Sequence, residues 1–326
     1  MRAVLCKTLG MPDSLVVEEV ESPIPAEGEV LLSVKACGVN FPDTLIIQGK
    51  YQYKPDLPFS PGGEVAGVIK SVGTGVTNVK VGDRVIAFNT WGGFAEEMVV
   101  GSDRLIPISD QMNFEEASAF ILTYGTSYHA LKDRAALQSG ETLLVLGASG
   151  GVGLAAVQLG KAMGARVIAA ASSEEKLQIC QSNGADDLIN YADQDFRQRV
   201  KEITGGRGVD VIYDPVGGAT SELAIRDMAW KGRFLVVGFA AGSIPKIPLN
   251  LALLKNCSIV GVFWGEFTRR ESDLNNQNNR DLVQMYEEGL VRPHIHKVYP
   301  LSQAASALND LMQKKVSGKV VLSTSI

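Results

Sequence analysis

The chain reads as an α/β protein, a doubly wound parallel sheet joined to an all-β unit. Three observations predict this. From Glu141 onward, short Val/Ile/Leu-rich runs alternate with helical stretches, the pattern of a parallel sheet covered on both faces. Before Asn113 the runs are short and alternating, with Gly/Pro-rich turn signals between them. At the start of the alternation lies "LLVLGASGGVGLAAVQLG", strand, glycine turn and helix in the order that holds a dinucleotide.

The all-β unit is built of "EVLLSVKACGV", "GEVAGVIKSVG", "GDRVIAF" and "FAEEMVV", separated by "MPDS", "PAEGE" and "KVGD". At Asn113 the period changes. Asn113 and Glu116 stand in capping-box positions, and helical spacing follows through Leu137. The alternation then runs "ETLLVLGA", a helix over about 151–163, "ARVIAAA", "SEEKLQICQSNG", "DDLINY", "DFRQRVKEITGG" and "VDVIYDPV". A helix near 219–230, "GRFLVVGFA" and "CSIVGVFW" complete it. Past Trp264 come a polar helical stretch (272–288), "HKVYPL", a helix from Ser302 and the strand "KVVLST". These do not extend the alternation, so this tail is expected to return to the first unit.

The 326 residues are 45% hydrophobic and 21% charged, which suits a globular protein of two cores. A formal net charge of -5 gives no electrostatic reason to expect nucleic acid or an anionic membrane as partner. No apolar run approaches the ~18 residues that span a bilayer, and "MRAVLCKTLG" lacks an apolar leader core, so a cytoplasmic protein is expected. Cys6, Cys37, Cys180 and Cys257 form no C-x-x-C clip and read as reduced thiols. His294 and His296 would share one face of an extended segment without a second ligand pair, and His129 reads as a packing residue. No metal site is expected.

In the glycine turn, Gly150 and Gly153 hold the second and third places of G-x-G-x-x-G, and Ala148 holds the first. An ordinary tight turn is the plainer alternative; position after a buried strand and before an amphipathic helix favours the dinucleotide. The second strand decides which one. It ends in Ala170 and Ala171, followed by Ser172 and Ser173, where an NAD site usually carries Asp or Glu. Serine hydroxyls and Lys176 in the next helical turn suit the 2′-phosphate of NADPH. Ser173 also reads as a plain N-cap followed by acidic first-turn residues, and the two readings are compatible.

The motifs "GVNFPDTLIIQGKY", "LPFSPGGEVAGVI", "VGDRVIAF", "TYGTSYHAL", "GASGGVG", "ASSEEKL" and "YDPVGG" together resemble the zinc-free quinone oxidoreductase (zeta-crystallin-like) branch of the medium-chain dehydrogenase/reductases, over essentially the whole chain. The resemblance implies a GroES-like β-barrel domain (1–125 plus 266–326) and a Rossmann NADPH-binding domain (126–265), with the active site in the cleft between them. In the zinc-dependent alcohol dehydrogenases of the superfamily, a cysteine stands where this chain has Asn40. A histidine stands where it has Gly63, directly before the equivalent of Glu64. Asparagine and glycine do not supply the thiolate and imidazole that zinc needs.

Without a Lewis acid, alcohol oxidation loses its main support, whereas hydride transfer to an electrophile remains feasible. The resemblance places Asn40 and Tyr51 beside the nicotinamide, and reads Asp43 and Glu64 as supports of the turn. It marks Thr126, Gly150, Gly151, Val152, Ser172, Lys176, Tyr191, Phe239, the segment Phe263 to Gly265, and Lys319 as cofactor contacts. The expected enzyme is an NADPH:quinone reductase acting on a small molecule. An enoyl or enone reductase with Tyr51 as proton donor is the alternative, and a non-catalytic NADPH-binding crystallin-like or RNA-binding protein is the reading from another class. "CSIVGVFW" resembles the family's dimer strand, so a homodimer is expected.

Overall fold

A computed structural model describes residues 1–325. It divides into two compact units, Met1–Leu122 together with the chain from Pro293 on, and Thr123–Arg292.

In the first unit β1 (Arg2–Leu5) pairs antiparallel with β2 (Val16–Glu19). The long β3 (Glu29–Val39) is the spine, and α1 (Phe41–Ile46) follows it directly. β4 (Glu64–Val72), β5 (Arg84–Phe88), β6 (Glu97–Gly101) and β7 (Leu105–Pro107) continue the sheet. β4 and β6 both pair antiparallel with β3, β5 with β4, and β7 with β5. Alternation along these strands sends Val30, Leu32 and Val34 into one core with Val65, Ile69, Val85 and Phe94. The short α2 (Phe114–Ala117) starts where the capping pattern predicts, with the Glu116 amide donating to Asn113 Oδ1 at 2.8 Å.

α3 (Ile121–Tyr128) continues as a π-helical turn, His129–Arg134, and leads into the parallel sheet of the second unit. There β8 (Thr142–Leu146), α4 (Gly151–Ala162), β9 (Arg166–Ala171), α5 (Glu174–Ser182), β10 (Asp187–Asn190) and α6 (Phe196–Thr204) alternate in turn. β11 (Val209–Asp214), α7 (Gly218–Ala224), β12 (Met228–Val236), α8 (Asn250–Lys255) and β13 (Ser258–Gly261) complete the set. The strand order is β10-β9-β8-β11-β12-β13, every pair parallel. The order reverses between β8 and β11, which puts a ligand crevice at their carboxyl ends.

Two expectations need correction. The helix expected near 219–230 ends at Ala224 and a short 3-10 turn, and Met228 already lies in β12, because Val209 of β11 pairs with it. Residues 266–292, expected with the barrel, pack in the second unit as α9 (Trp264–Arg270) and α10 (Ser272–Glu287). The reason is a half-buried polar clamp. Lys132 Nζ donates to Asn278 Oδ1 at 2.8 Å and Asp281 Oδ2 at 2.9 Å, and Asn278 Nδ2 donates to Asp133 Oδ2 at 2.8 Å. Asp133 is also met by His129 Nδ1 at 2.8 Å, and the His129 ring stacks on Phe267 at 3.8 Å between centroids. The chain then returns to the barrel through β14 (Ile295–Pro300), α11 (Ala304–Met312) and β15 (Lys319–Ser323), where β15 pairs antiparallel with β3.

Asn278 is 2% exposed and meets a partner with each end of its amide. Asn278→Leu is expected to lower stability by about 2 kcal/mol, because Lys132 and Asp133 each lose a buried partner. A lower midpoint in urea unfolding, absent in a variant at exposed Gln284, is the readout.

Candidate active site

In the second unit, the loop after β8 is shaped by glycine. Gly147 has φ +57°, so the tight turn falls one residue before Ala148, the position that the G-x-G-x-x-G spacing assigns to it. A Cβ on Gly153 would lie 2.3 Å from the Gly147 carbonyl oxygen, so only glycine lets α4 start this close to the strand. Gly150 is the N-cap of α4 and brings no side-chain acceptor to the first turn. The Gly151 and Val152 amides are therefore presented to an anion at the positive end of the helix.

The expected cofactor residues of this unit lie toward the same carboxyl edge. Ser172 is exposed directly after β9, and Ser173 is the N-cap of α5, its Oγ accepting from the Lys176 amide at 3.4 Å. The N-cap reading of Ser173 is the one observed, and no carboxylate ends the strand. Tyr191 follows β10 and its amide donates to the Ala171 carbonyl at 3.1 Å, which sets it beside Ser172. Ser127 Oγ donates to the Val152 carbonyl at 2.9 Å, bringing its neighbour Thr126 to the glycine turn. A Cβ on Gly125 would lie 2.9 Å from the Trp264 indole, so the segment Phe263 to Gly265 packs close to Thr126. Phe239 lies over Gly217, whose added Cβ would meet its ring at 2.9 Å.

Asp214, at the end of β11, organises this edge and was not singled out from the sequence. Its Oδ1 accepts from the Val216 and Gly217 amides at 2.9 Å each, and Oδ2 from Ser221 Oγ. The signal was present in "YDPVGG", an aspartate before a Pro-Val-Gly-Gly turn, in which Gly217 and Gly218 take φ of +75° and +69°.

In the first unit a buried polar cluster stands where β3, β4 and β15 meet. Lys319 Nζ donates to Asn40 Oδ1, to Glu64 Oε2 at 3.2 Å and to the Val39 carbonyl at 3.3 Å. Asn40 Nδ2 donates to Glu64 Oε2 at 3.1 Å and to the Gly38 carbonyl at 3.2 Å. Glu64 Oε1 accepts from the Leu122 amide at 2.8 Å. The Asn40 amide in turn donates to Asp43 Oδ2 at 2.7 Å.

This arrangement changes two sequence expectations. Asn40, expected as a donor to substrate, uses both amide hydrogens inside the cluster. Lys319, expected as a cofactor contact, is 4% exposed and turns all three of its donors inward within the barrel unit. Tyr51 differs from both. Its hydroxyl has no hydrogen-bond partner among the described residues, its ring lies 5.9 Å from that of Tyr53, and burial raises its pKa.

At Gly63 a Cβ would sit 2.4 Å from the Asn89 carbonyl oxygen, so this backbone position admits glycine and not histidine. Among the described residues no three His, Cys, Asp or Glu side chains are grouped to hold a metal ion, and no helix is long and apolar enough to cross a membrane.

Residues 26–110 match the alcohol dehydrogenase GroES-like domain and residues 151–278 the zinc-binding dehydrogenase family. The chain is 41% identical over 324 residues to quinone oxidoreductase-like protein 2 of Bos taurus, covering 99% of this chain and 92% of that protein. It is 34% identical to the quinone oxidoreductase of Homo sapiens, covering 99% and 97%. The solved Escherichia coli quinone oxidoreductase complexed with NADPH superposes with a TM-score of 0.91 at 30% identity, covering 99% and 100%.

Burial pushes Asp43 up to about 7, against the pull of the Asn40 and Gly62 amides and the Lys319 ammonium. A carboxyl raised in the folded state holds its proton there while the unfolded chain has already released it. Stability from this group is thus present below about pH 4 and lost as pH rises through about 7. Asp43→Asn, which keeps the capping oxygen, is expected to flatten that fall by a few kcal/mol, at ~1.4 kcal/mol per pKa unit. Unfolding midpoints of both proteins from pH 4 to 8 provide the check.

Proposed function

Because the chain belongs to the zinc-free quinone oxidoreductase branch of the medium-chain dehydrogenase/reductase superfamily, we propose that it is an NADPH-dependent oxidoreductase whose acceptor is a quinone. The observation that carries the reading is the donor set at positions 40, 63 and 64. It offers an amide, a glycine and a carboxylate already paired with Lys319, which favours reducing an electrophile over ionising an alcohol.

The residues fit the cofactor. The Gly151 and Val152 amides suit its pyrophosphate, and Ser172 with Lys176 suits its 2′-phosphate. Thr126, Tyr191, Phe239, Phe263 and Gly265 complete its surroundings. When bound, NADPH supplies the hydride. What the protein must add is orientation and a proton or hydrogen bond at the oxygen that gains charge. Tyr51 is proposed for that role, since a phenol holds its proton at neutral pH and this hydroxyl is uncommitted. Asn40 is proposed as a positioning residue that holds Lys319 and Glu64.

The same free hydroxyl favours a second reading, reduction of an enone or enoyl thioester. There Tyr51 would deliver a proton to the α-carbon, whereas a reduced quinone can take protons from water. NADPH oxidation with an ortho-quinone and with a short enoyl-CoA, each with and without EDTA and with NADH in place of NADPH, tests the proposal. Turnover of the quinone, with NADPH preferred, EDTA without effect and Tyr51→Phe reducing kcat/KM about tenfold, is the expected outcome. Turnover of the enoyl-CoA alone, with Tyr51→Phe losing about 10²–10⁴-fold, would replace the quinone reading by the enone one. Inhibition by EDTA would refute the metal-free mechanism.

We also propose a homodimer formed edge to edge through β13. This strand ends the parallel sheet with Ile259 exposed, and Ile244, Leu249 and Leu253 are each more than 70% exposed nearby in sequence. Light scattering is expected to give twice the 34.9 kDa chain mass for the native protein and a single chain for Leu253→Lys/Ile259→Lys.

A further inference from the structure

The amino edge of the parallel sheet, opposite the glycine turn, carries a cavity of about 180 Å³. It lies between the end of α6, the start of β12 and the end of α8. Five cationic side chains line it: Arg197, Lys201, Arg207, Arg226 and Lys255. This is unexpected in a chain whose formal net charge is -5.

Acidic partners answer only part of that charge. Arg197 is held by Asp227 through two hydrogen bonds of 2.9 and 3.1 Å, and Arg207 by Asp210 through two of 2.7 and 2.9 Å. Lys255 Nζ donates to the Met228 carbonyl at 3.0 Å, which fixes the ammonium and leaves further hydrogens to donate. Lys201 and Arg226 have no partner among the described residues. Five cations against two carboxylates leave three positive charges around one small concavity.

A cation in the last turn of a helix is ordinary, because the helix dipole favours it there. That accounts for Lys201 and Lys255 singly. It does not account for their convergence with Arg226 and two clamped arginines, since like charges around one cavity repel. Arg197 and Lys201 are one turn apart on α6 and so share its face. The Asp227 and Asp210 pairs keep the two guanidinium groups in place, so the site stands ready without a ligand.

We propose that this cavity binds a dianionic phosphate, free or as a small phosphomonoester. Its size admits a phosphate group with a few further atoms. The cations supply charge-assisted hydrogen bonds, each worth roughly a tenfold change in affinity when deleted. The site is separate from the nucleotide turn, with which it shares no residue.

Calorimetric titration in the presence of excess NADPH tests this, with inorganic phosphate and glycerol 3-phosphate as probes and chloride at matched ionic strength as background. Saturable binding of at least one probe is expected, and their relative affinities distinguish the free ion from the ester. Arg226→Gln and Lys201→Gln, on separate elements and both exposed, are each expected to weaken it about tenfold, and Lys80→Gln in the barrel unit to leave it unchanged. Absence of saturable binding would overturn the proposal. So would equal weakening by Lys80→Gln, or unchanged affinity in whichever of Arg226→Gln and Lys201→Gln folds.

Discussion

The ion pair between Lys319 and Glu64 has side-chain exposures of 5% and 0%. Taking two such charges out of water costs several kcal/mol each, so the pair persists only if every remaining donor and acceptor around it is met. Here they are met by the Val39 carbonyl, the Asn40 side chain and the Leu122 amide. The consequence is topological. Lys319 and Glu64 are 255 residues apart in sequence, and their pairing binds β15 to the antiparallel β3–β4 pair at one point. The approach also dictates small residues nearby: a Cβ on Gly38 would lie 2.1 Å from the Ser118 carbonyl oxygen and 3.0 Å from Glu64 Oε2.

The second unit depends on a different constraint, the parallel register that places all six strand ends on one edge. Gly147, Ser172, Tyr191, Asp214, Phe239 and Phe263 each lie within three residues of a strand's carboxyl end. Side chains distant in sequence thus become neighbours by strand register, with contacts such as that of the Tyr191 amide to the Ala171 carbonyl added to it. Asp214 does for its loop what Gly147 does for the first, one by binding amides and the other by adopting a positive φ. The opposite edge has positive-φ glycines of its own, Gly206 and Gly208 at +82° and +84°, and cations at the ends of helices gather beside them.

Local signals were legible in the sequence where one period dominated. The βα alternation, the Asn113 cap and the glycine turn all follow from neighbours within a few residues of each other. The errors fall where partners are distant. Met228 reads as helix by its own neighbourhood and becomes strand because Val209 pairs with it. The stretch 272–288 reads only as a polar helix, yet its Asn278 is buried against Lys132 and Asp133 some 145 residues away. Lys319 offers no local sign that it will be buried, and its inward turn depends on strand pairing that no short window contains. Asn40 and Gly63 were conspicuous through resemblance, but the resemblance spoke of ligands that are missing and not of what now occupies their surroundings.

Those surroundings bear on whether two substitutions could restore a metal centre. A histidine at 63 would drive its Cβ into the Asn89 carbonyl, whose residue is fixed by an amide hydrogen bond of 2.7 Å back to Gly63. A thiolate at 40 would lose the amide that donates to Glu64 and accepts from Lys319, leaving a buried ammonium and carboxylate short of partners. It would also bring a second negative group close to Asp43, whose carboxyl is already pushed toward the neutral form by burial. The charge balance of the cluster is complete with an ammonium as its cation. Asparagine at 40 and glycine at 63 are therefore two parts of one packing solution, in which Lys319 supplies the positive charge and Tyr51 is left as the uncommitted proton donor.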